Sequence, residues 1–202
     1  MTLQTAILEL ADDNLVLGHR VSEWCGHSPL LEEDLAMPNM ALDMIGTARS
    51  LYAYAAEIAG ENQTEDDLAY LRDEREYRNC LLVERRNGDF AQTMLRQLYF
   101  AAFMHPFWVA AQTSTDETIR GIAGKAAKEM AYHIRHAGEW VVRMGDGTEE
   151  SAARMREAID ALHHYTGELF VSSDAAQAAE KSGILPVRAE MRPTWDKTIL
   201  DI

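Results

Sequence analysis

Between Ala91 and Thr115 the chain carries one formally charged side chain, Arg96, in a run that reads "AQTMLRQLYFAAFMHPFWVAAQTST". A helix built on such a run is apolar around most of its circumference, so it has to be covered by protein on nearly every side. Asp89 stands just before it as a residue type suited to capping. Its most apolar part, "LYFAAFMHPFWVAA", is too short to span a bilayer and holds His105 and Pro106. The run therefore predicts a central helix over 89–113, kinked at Pro106, with other elements packed around it.

The remaining segments supply that cover, and nearly all have helical period. Over 3–25, Leu3, Ile7, Leu10, Leu17, Val21 and Trp24 recur every three or four residues, with Asn14 interrupting the stripe. A second helix is expected over 38–59, opened by Pro38 and stopped by Gly60. "QTEDDLAYLRDE" reads as a short helix capped by Thr64, and "EYRNCLLVERRNGDF" as a connector turning at Asn87 and Gly88. Further helices are expected over 116–144 and 149–170, the latter with Ala152, Met155, Ile159, Leu162 and Leu169 on one stripe. Short ones at 174–182 and 187–200, the last with Trp195 and Ile199, complete the chain. No strand alternation, glycine-rich phosphate loop or low-complexity linker is present. The expected fold is all-α, one domain over 1–202, with four long antiparallel helices and additional peripheral ones.

Charge narrows the partners. With 33 acidic and 19 basic residues the formal charge is −14. Such a surface excludes nucleic acid and anionic membrane as partners of the whole face, while it can complement a basic subunit. The start "MTLQTAILELADDN" has neither a basic region nor a continuous apolar one, so a cytoplasmic location is expected. Cys25 and Cys80 form no metal or redox pattern and read as reduced thiols. The ten methionines suit an irregular core.

Helical bundles can hold two iron ions when Glu-x-x-His pairs project inward from two helices and further carboxylates from the others. The stretch "GKAAKEMAYHIRHAGEW", residues 124–140, comes close to that pattern without meeting it. Glu129 precedes His133 by four positions, and the residue three before His133 is Met130. At about 100° per residue, Ile119, Ile122, Ala126, Met130, His133, Ala137, Val141 and Met144 share one face. Glu129 falls at its edge, one turn after Lys125, where an i, i+4 ion pair would hold it. The face thus presents a thioether where iron needs a carboxylate, and His133 reads as a core histidine held by a hydrogen bond.

The second helix offers a broad arc of Ala41, Ile45, Ala48, Tyr52, Ala55 and Ala59, none of which binds a hard cation. Asp43 lies nearly opposite Ile45 and is expected at the surface or a subunit contact. Arg49 lies at the arc's edge, with Glu23 as a candidate carboxylate partner and the two as a candidate buried polar contact beside Glu129. The helix over 89–113 has no carboxylate between Phe90 and Thr115. One histidine and one glutamate stand where a di-iron site needs about four carboxylates and two histidines. A rival reading, an independent enzyme with a single metal near His133 and Glu129, helped by Glu23 or His19, gains no specific support from spacing.

Four stretches carry a resemblance: "LVLGHRVSEWCGHSP", "LDMIGTARSLYAYAAEIAG", "RDEREYRNCLLVERRNGDFAQT" and "KEMAYHIRHAGEWVVRMGDGT". They resemble the C subunits of bacterial ring-1,2-phenylacetyl-CoA epoxidases, from about Leu10 to Phe170. The resemblance implies a ferritin-like fold and a structural, non-catalytic role in phenylacetate catabolism. It implies as partner a homologous catalytic A subunit that holds the di-iron centre, binds the acyl-CoA and performs the oxygenation. Electrons would come from NADPH through a reductase subunit, and self-association is left open. Carried onto this chain, the A-type ligand pattern falls on Ile45 with Ala48 and on Met130 with His133. Three of those four positions are not ligands, so the resemblance implies a vestigial metal site, with no catalytic residue, metal or cofactor of the chain's own. It also implies a C-terminal tail beyond a segment like "PTWDKTILDI".

Overall fold

A computed structural model describes residues 3–60 and 63–202 of the chain. Nine α-helices follow one another among these residues: α1 Leu3–Ser22, α2 Leu31–Ala59, α3 Glu65–Tyr70, α4 Leu81–Glu84, α5 Phe90–Ala111, α6 Glu117–Gly145, α7 Glu149–Leu162, α8 Asp174–Lys181 and α9 Arg192–Leu200. Short 3-10 turns lie at Glu74–Glu76, His163–Phe170 and Arg188–Met191, and no strand occurs among the described residues. None of the described helices is long and apolar enough to cross a membrane.

The helices begin where side chains can satisfy their free N–H groups. Asp89 Oδ1 accepts from the Gln92 amide (3.0 Å) and Asp116 Oδ1 from the Ile119 amide (2.9 Å), opening α5 and α6. Thr64 and Asp67 form a reciprocal capping box at α3. Gly60 closes α2 with φ 67°, a left-handed conformation that costs a glycine little.

The long helices form two closely packed pairs, α1 with α2 and α5 with α6, while α2 and α6 meet more sparsely. The apolar run becomes the central element, as its composition requires. Phe100, Ala101, Ala102, Phe103, Met104, Phe107 and Trp108 are all buried, and α6, α7 and α9 cover α5. From the end of the chain, buried Trp195 donates its Nε1–H to the Tyr99 carbonyl of α5 at 3.0 Å.

Three boundaries differ from the sequence expectation. α2 starts at Leu31 rather than Pro38, which lies inside the helix. Proline has no N–H for the carbonyl one turn back, and the local rule would place it at a helix start. Here Glu32, Glu33 and Asp34 load the first turn with negative charge that the helix dipole favours. Asn39 Nδ2 donates to the Leu35 carbonyl at 2.8 Å within the same turns. The helix expected over 149–170 is α only to Leu162, after which the chain tightens into 3-10 geometry, with Thr166 Oγ1 donating to the His163 carbonyl at 2.8 Å. The segment expected over 187–200 likewise divides into a 3-10 turn and α9, which carries Pro193 in its first turn. α5 runs through Pro106 as one helix.

Candidate functional site: a histidine at the bundle centre and a carboxylate pair on α1

His133 is fully buried on α6, and both of its ring nitrogens are engaged. Gln97 Nε2, from α5, donates to Nδ1 at 3.0 Å. Nε2 faces Asp43 Oδ2 of α2 at 3.2 Å, within hydrogen-bond distance. With Gln97 on one nitrogen and Asp43 on the other, both ring nitrogens are engaged within the bundle. Gln97 Nε2 also points at the Met44 thioether, 3.8 Å away, and its Oε1 is buried without a hydrogen-bond partner. Three helices therefore converge on one imidazole. The polar atoms around it are an amide, a sulfur and one carboxylate that is itself partly exposed.

One turn along α6, Glu129 pairs with Lys125 (3.2 Å) and accepts from Thr47 Oγ1 of α2 at 3.5 Å. One turn the other way, His136 Nε2 faces Glu33 Oε1 at 3.3 Å. The α2–α6 seam is thus bridged by three side-chain rungs: Glu129 to Thr47, His133 to Asp43, and His136 to Glu33. Met130 and Ala48 are buried in the core.

Several residues singled out from the sequence lie elsewhere. Ile45 is turned toward α1, so close to Gly18 that a Cβ built there would lie 2.9 Å from Ile45 Cγ1. The α2 residues that reach His133 and Glu129 are Asp43 and Thr47. The wide apolar arc hid this, because α1 and the bundle centre share it and Ile45 belongs to the α1 side. Asp43 is therefore an internal contact of the bundle rather than only a surface group. Arg49 is exposed and pairs with Glu65 of α3 at 3.1 Å. Glu23 pairs with Arg20 at 2.9 Å and accepts from Asn87 Nδ2 at 3.0 Å. The expected Glu23–Arg49 contact does not form, since α3 supplies a nearer carboxylate. His19 stacks on Tyr70, ring centroids 6.3 Å apart, away from His133. Among the described residues no group of three or more histidine, cysteine or acidic side chains is placed to hold a metal ion. A thioether, an amide and a doubly engaged imidazole do not fit a di-iron centre.

A second buried polar cluster had shown in the sequence only as an interruption, Asn14, in the α1 stripe. Asp12, Asp13 and Asn14 are all buried. Asp12 accepts from Tyr52 Oη of α2 (2.5 Å), from the Arg78 amide (2.8 Å) and from Arg72 in a close ion pair. Asp13 accepts from the Cys80 amide at 2.7 Å. Together they fasten the whole connector between α3 and α4 onto α1. Burial pushes the Asp13 carboxyl up to about 6, against the pull of the nearby Arg188 guanidinium and the Cys80 N–H. Arg96, the lone charge of α5, is held by the Arg85 carbonyl and Asn87 Oδ1 at the Asn-Gly turn. Burial, then the charge of Arg20, lowers its pKa to about 10.

This architecture defines a ferritin-like helical bundle whose centre brings together a thioether, an amide and an imidazole. The chain belongs to the phenylacetic acid catabolic protein family, whose model matches residues 1–202. It is 42% identical over 192 residues to the C subunit of 1,2-phenylacetyl-CoA epoxidase from Escherichia coli (strain K12). The aligned stretch makes up 95% of this chain and 77% of that protein.

Proposed function

We propose that this chain is the structural C-type subunit of a phenylacetyl-CoA epoxidase, supporting a homologous catalytic subunit in aerobic phenylacetate catabolism. One observation carries the non-catalytic part of this reading. At the position where a di-iron bundle needs a free imidazole and clustered carboxylates, His133 is bonded at both nitrogens and Met130 packs beside it. The identity to an epoxidase C subunit supports the pathway and the multisubunit setting. On this reading the di-iron centre, the acyl-CoA pocket and the oxygenation belong to the A-type partner. NADPH acts through a reductase, and the complex works in the cytoplasm. This chain then contributes shape and stability. A partner is then held against the outer, acidic surface, since α6, α7 and α9 already cover the central apolar helix.

The test compares the purified chain alone with the chain co-expressed with the A-type subunit. The expected result is co-purification, turnover of phenylacetyl-CoA with NADPH and reductase only in the complex, and no stoichiometric iron, manganese or zinc on the isolated chain. One or two tightly held metal ions per chain, or turnover by the chain alone, would refute the structural role. A single-metal enzyme is not favoured, because Glu129, Glu23 and His19 are each engaged away from His133.

A further inference from the structure

Arg188, in the 3-10 turn Arg188–Met191, is a buried cation that forms no ion pair with any described residue. It is 7% exposed, and its guanidinium lies 5.6 Å from the ring centre of Phe103 and 6.0 Å from that of Phe107. A guanidinium offers five N–H donors. Here one protein acceptor meets its side chain, the Leu169 carbonyl, at a long 3.4 Å. Burying a cation this deeply is costly unless an acceptor of opposite charge reaches it.

Arg188 lines a cavity of about 240 Å³ between α1, the connector before α4 and the 3-10 turn His163–Phe170. Three carboxylates share that cavity, and each is fixed by a neighbouring donor through one oxygen. Asp13 Oδ1 takes the Cys80 amide (2.7 Å), Glu168 Oε2 the Leu81 amide (2.8 Å) and Glu9 Oε1 the Ser173 hydroxyl (2.6 Å). Arg78, exposed on the connector, adds a second guanidinium to the lining. The polar walls are therefore set by the fold, which lowers the cost of ordering them around a ligand.

The mixture of charges selects the ligand. A simple anion that meets Arg188 is repelled by the carboxylates, and a simple cation that meets the carboxylates is repelled by Arg188. A molecule carrying both charges satisfies the two halves together. Its carboxylate can take paired N–H groups of Arg188, while its ammonium donates to the acidic wall. Val171, the one aliphatic side chain of the lining, is 68% exposed, so nothing here selects a large apolar group.

We infer that this cavity binds a small zwitterion of the α-amino acid class, its carboxylate on Arg188 and its ammonium on Asp13, Glu168 and Glu9. The site shares no residue with the α2–α6 seam, so it stands or falls apart from the proposed structural role. The experiment is isothermal titration calorimetry of the full chain with glycine and L-serine. Acetate, methylammonium and trimethylglycine serve as controls. Saturable binding is expected for the two amino acids. Acetate and methylammonium, with one charge each, and trimethylglycine, with both charges but no N–H, are expected to bind far more weakly. Glu168→Gln keeps an acceptor for the Leu81 amide and should weaken glycine about tenfold. Arg188→Met, which keeps an apolar stem beside Phe103, should abolish binding, and if that variant does not fold, Glu168→Gln decides. Bound glycine should also slow alkylation of Cys80, in the cavity wall, and leave that of exposed Cys25 unchanged. No saturable binding by either amino acid, binding matched by acetate or trimethylglycine, or an affinity indifferent to Glu168→Gln would each overturn the inference.

Discussion

The two buried polar clusters of this molecule, one around His133 and one around Asp12 and Asp13, solve the same problem in opposite ways. At the bundle centre there is little charge to neutralise. One imidazole ring is held by an amide and by a carboxylate at the seam, and an amide oxygen is left unpartnered. On α1 two carboxylates are sunk to full burial, and Asp12 is matched by a guanidinium, a phenol and a backbone amide. A carboxylate inside a helical bundle thus need not be a metal ligand or the remnant of one. What it binds decides its role, and here the denser charge holds a connector while the bundle centre is nearly apolar.

The sharpest way to break this contrast is to remove Asp12. Asp12→Ala should destabilise the fold by about 3–5 kcal/mol, read by denaturant unfolding, because Arg72 is left largely buried without its counter-charge. A loss comparable to an ordinary surface change would mean that the connector is not held from α1. Asp13 gives the next effect. Its folded pKa of about 6 lies above the ordinary carboxyl value, so the folded state binds the proton more tightly. The burial penalty is present above pH 6 and fades as pH falls toward 4, making the wild type relatively more stable on acidification. Asp13→Asn should remove that dependence, a difference of about 1–3 kcal/mol between pH 7.5 and pH 4.5 in paired melts. At the bundle centre, Met130→Glu should cost about 1–3 kcal/mol or more, and less at pH 6 than at pH 8, since the buried acid can escape by protonating. Stabilisation of this variant by added ferrous iron would reveal a usable metal cavity and erase the contrast. The smallest effect belongs to Met130→Leu, which keeps volume and adds no charge, at under about 1.5 kcal/mol in the same melts.

Much of the fold could be read from local pattern. The uniform apolar run of α5, the caps at Asp89 and Thr64, and the stop at Gly60 are all local signals, and the helices lie near the expected places. Pro38 misled because its position rule is local, while the acidic turn before it carries the helix further back. At the site, the single face with Met130 and His133 could be drawn on a wheel, because one helix suffices for it. The partners of His133 could not, since Gln97 and Asp43 lie 36 and 90 residues away in sequence. Asp43 looked external only because the wheel of α2 has two neighbours, α1 and α6, and sequence alone does not divide them. The Asp12–Asp13–Asn14 triplet did leave a trace, a polar break in an otherwise apolar stripe. Asn14 breaks the stripe itself, and its neighbours Asp12 and Asp13 are buried through partners from distant segments, which no local pattern shows.

The reach of Asp12 has a consequence for how the molecule comes apart and together. It ties residue 12 to residues 52, 72 and 78, contacts separated by 40 to 66 positions along the chain. Ordering such distant segments has to precede any gain from joining them. The Asp12 clasp is therefore expected to close after α1 and α2 have paired, so that Asp12→Ala speeds unfolding more than it slows refolding in stopped-flow measurements. Its strength would then be felt on the return path, as a longer life of the folded state.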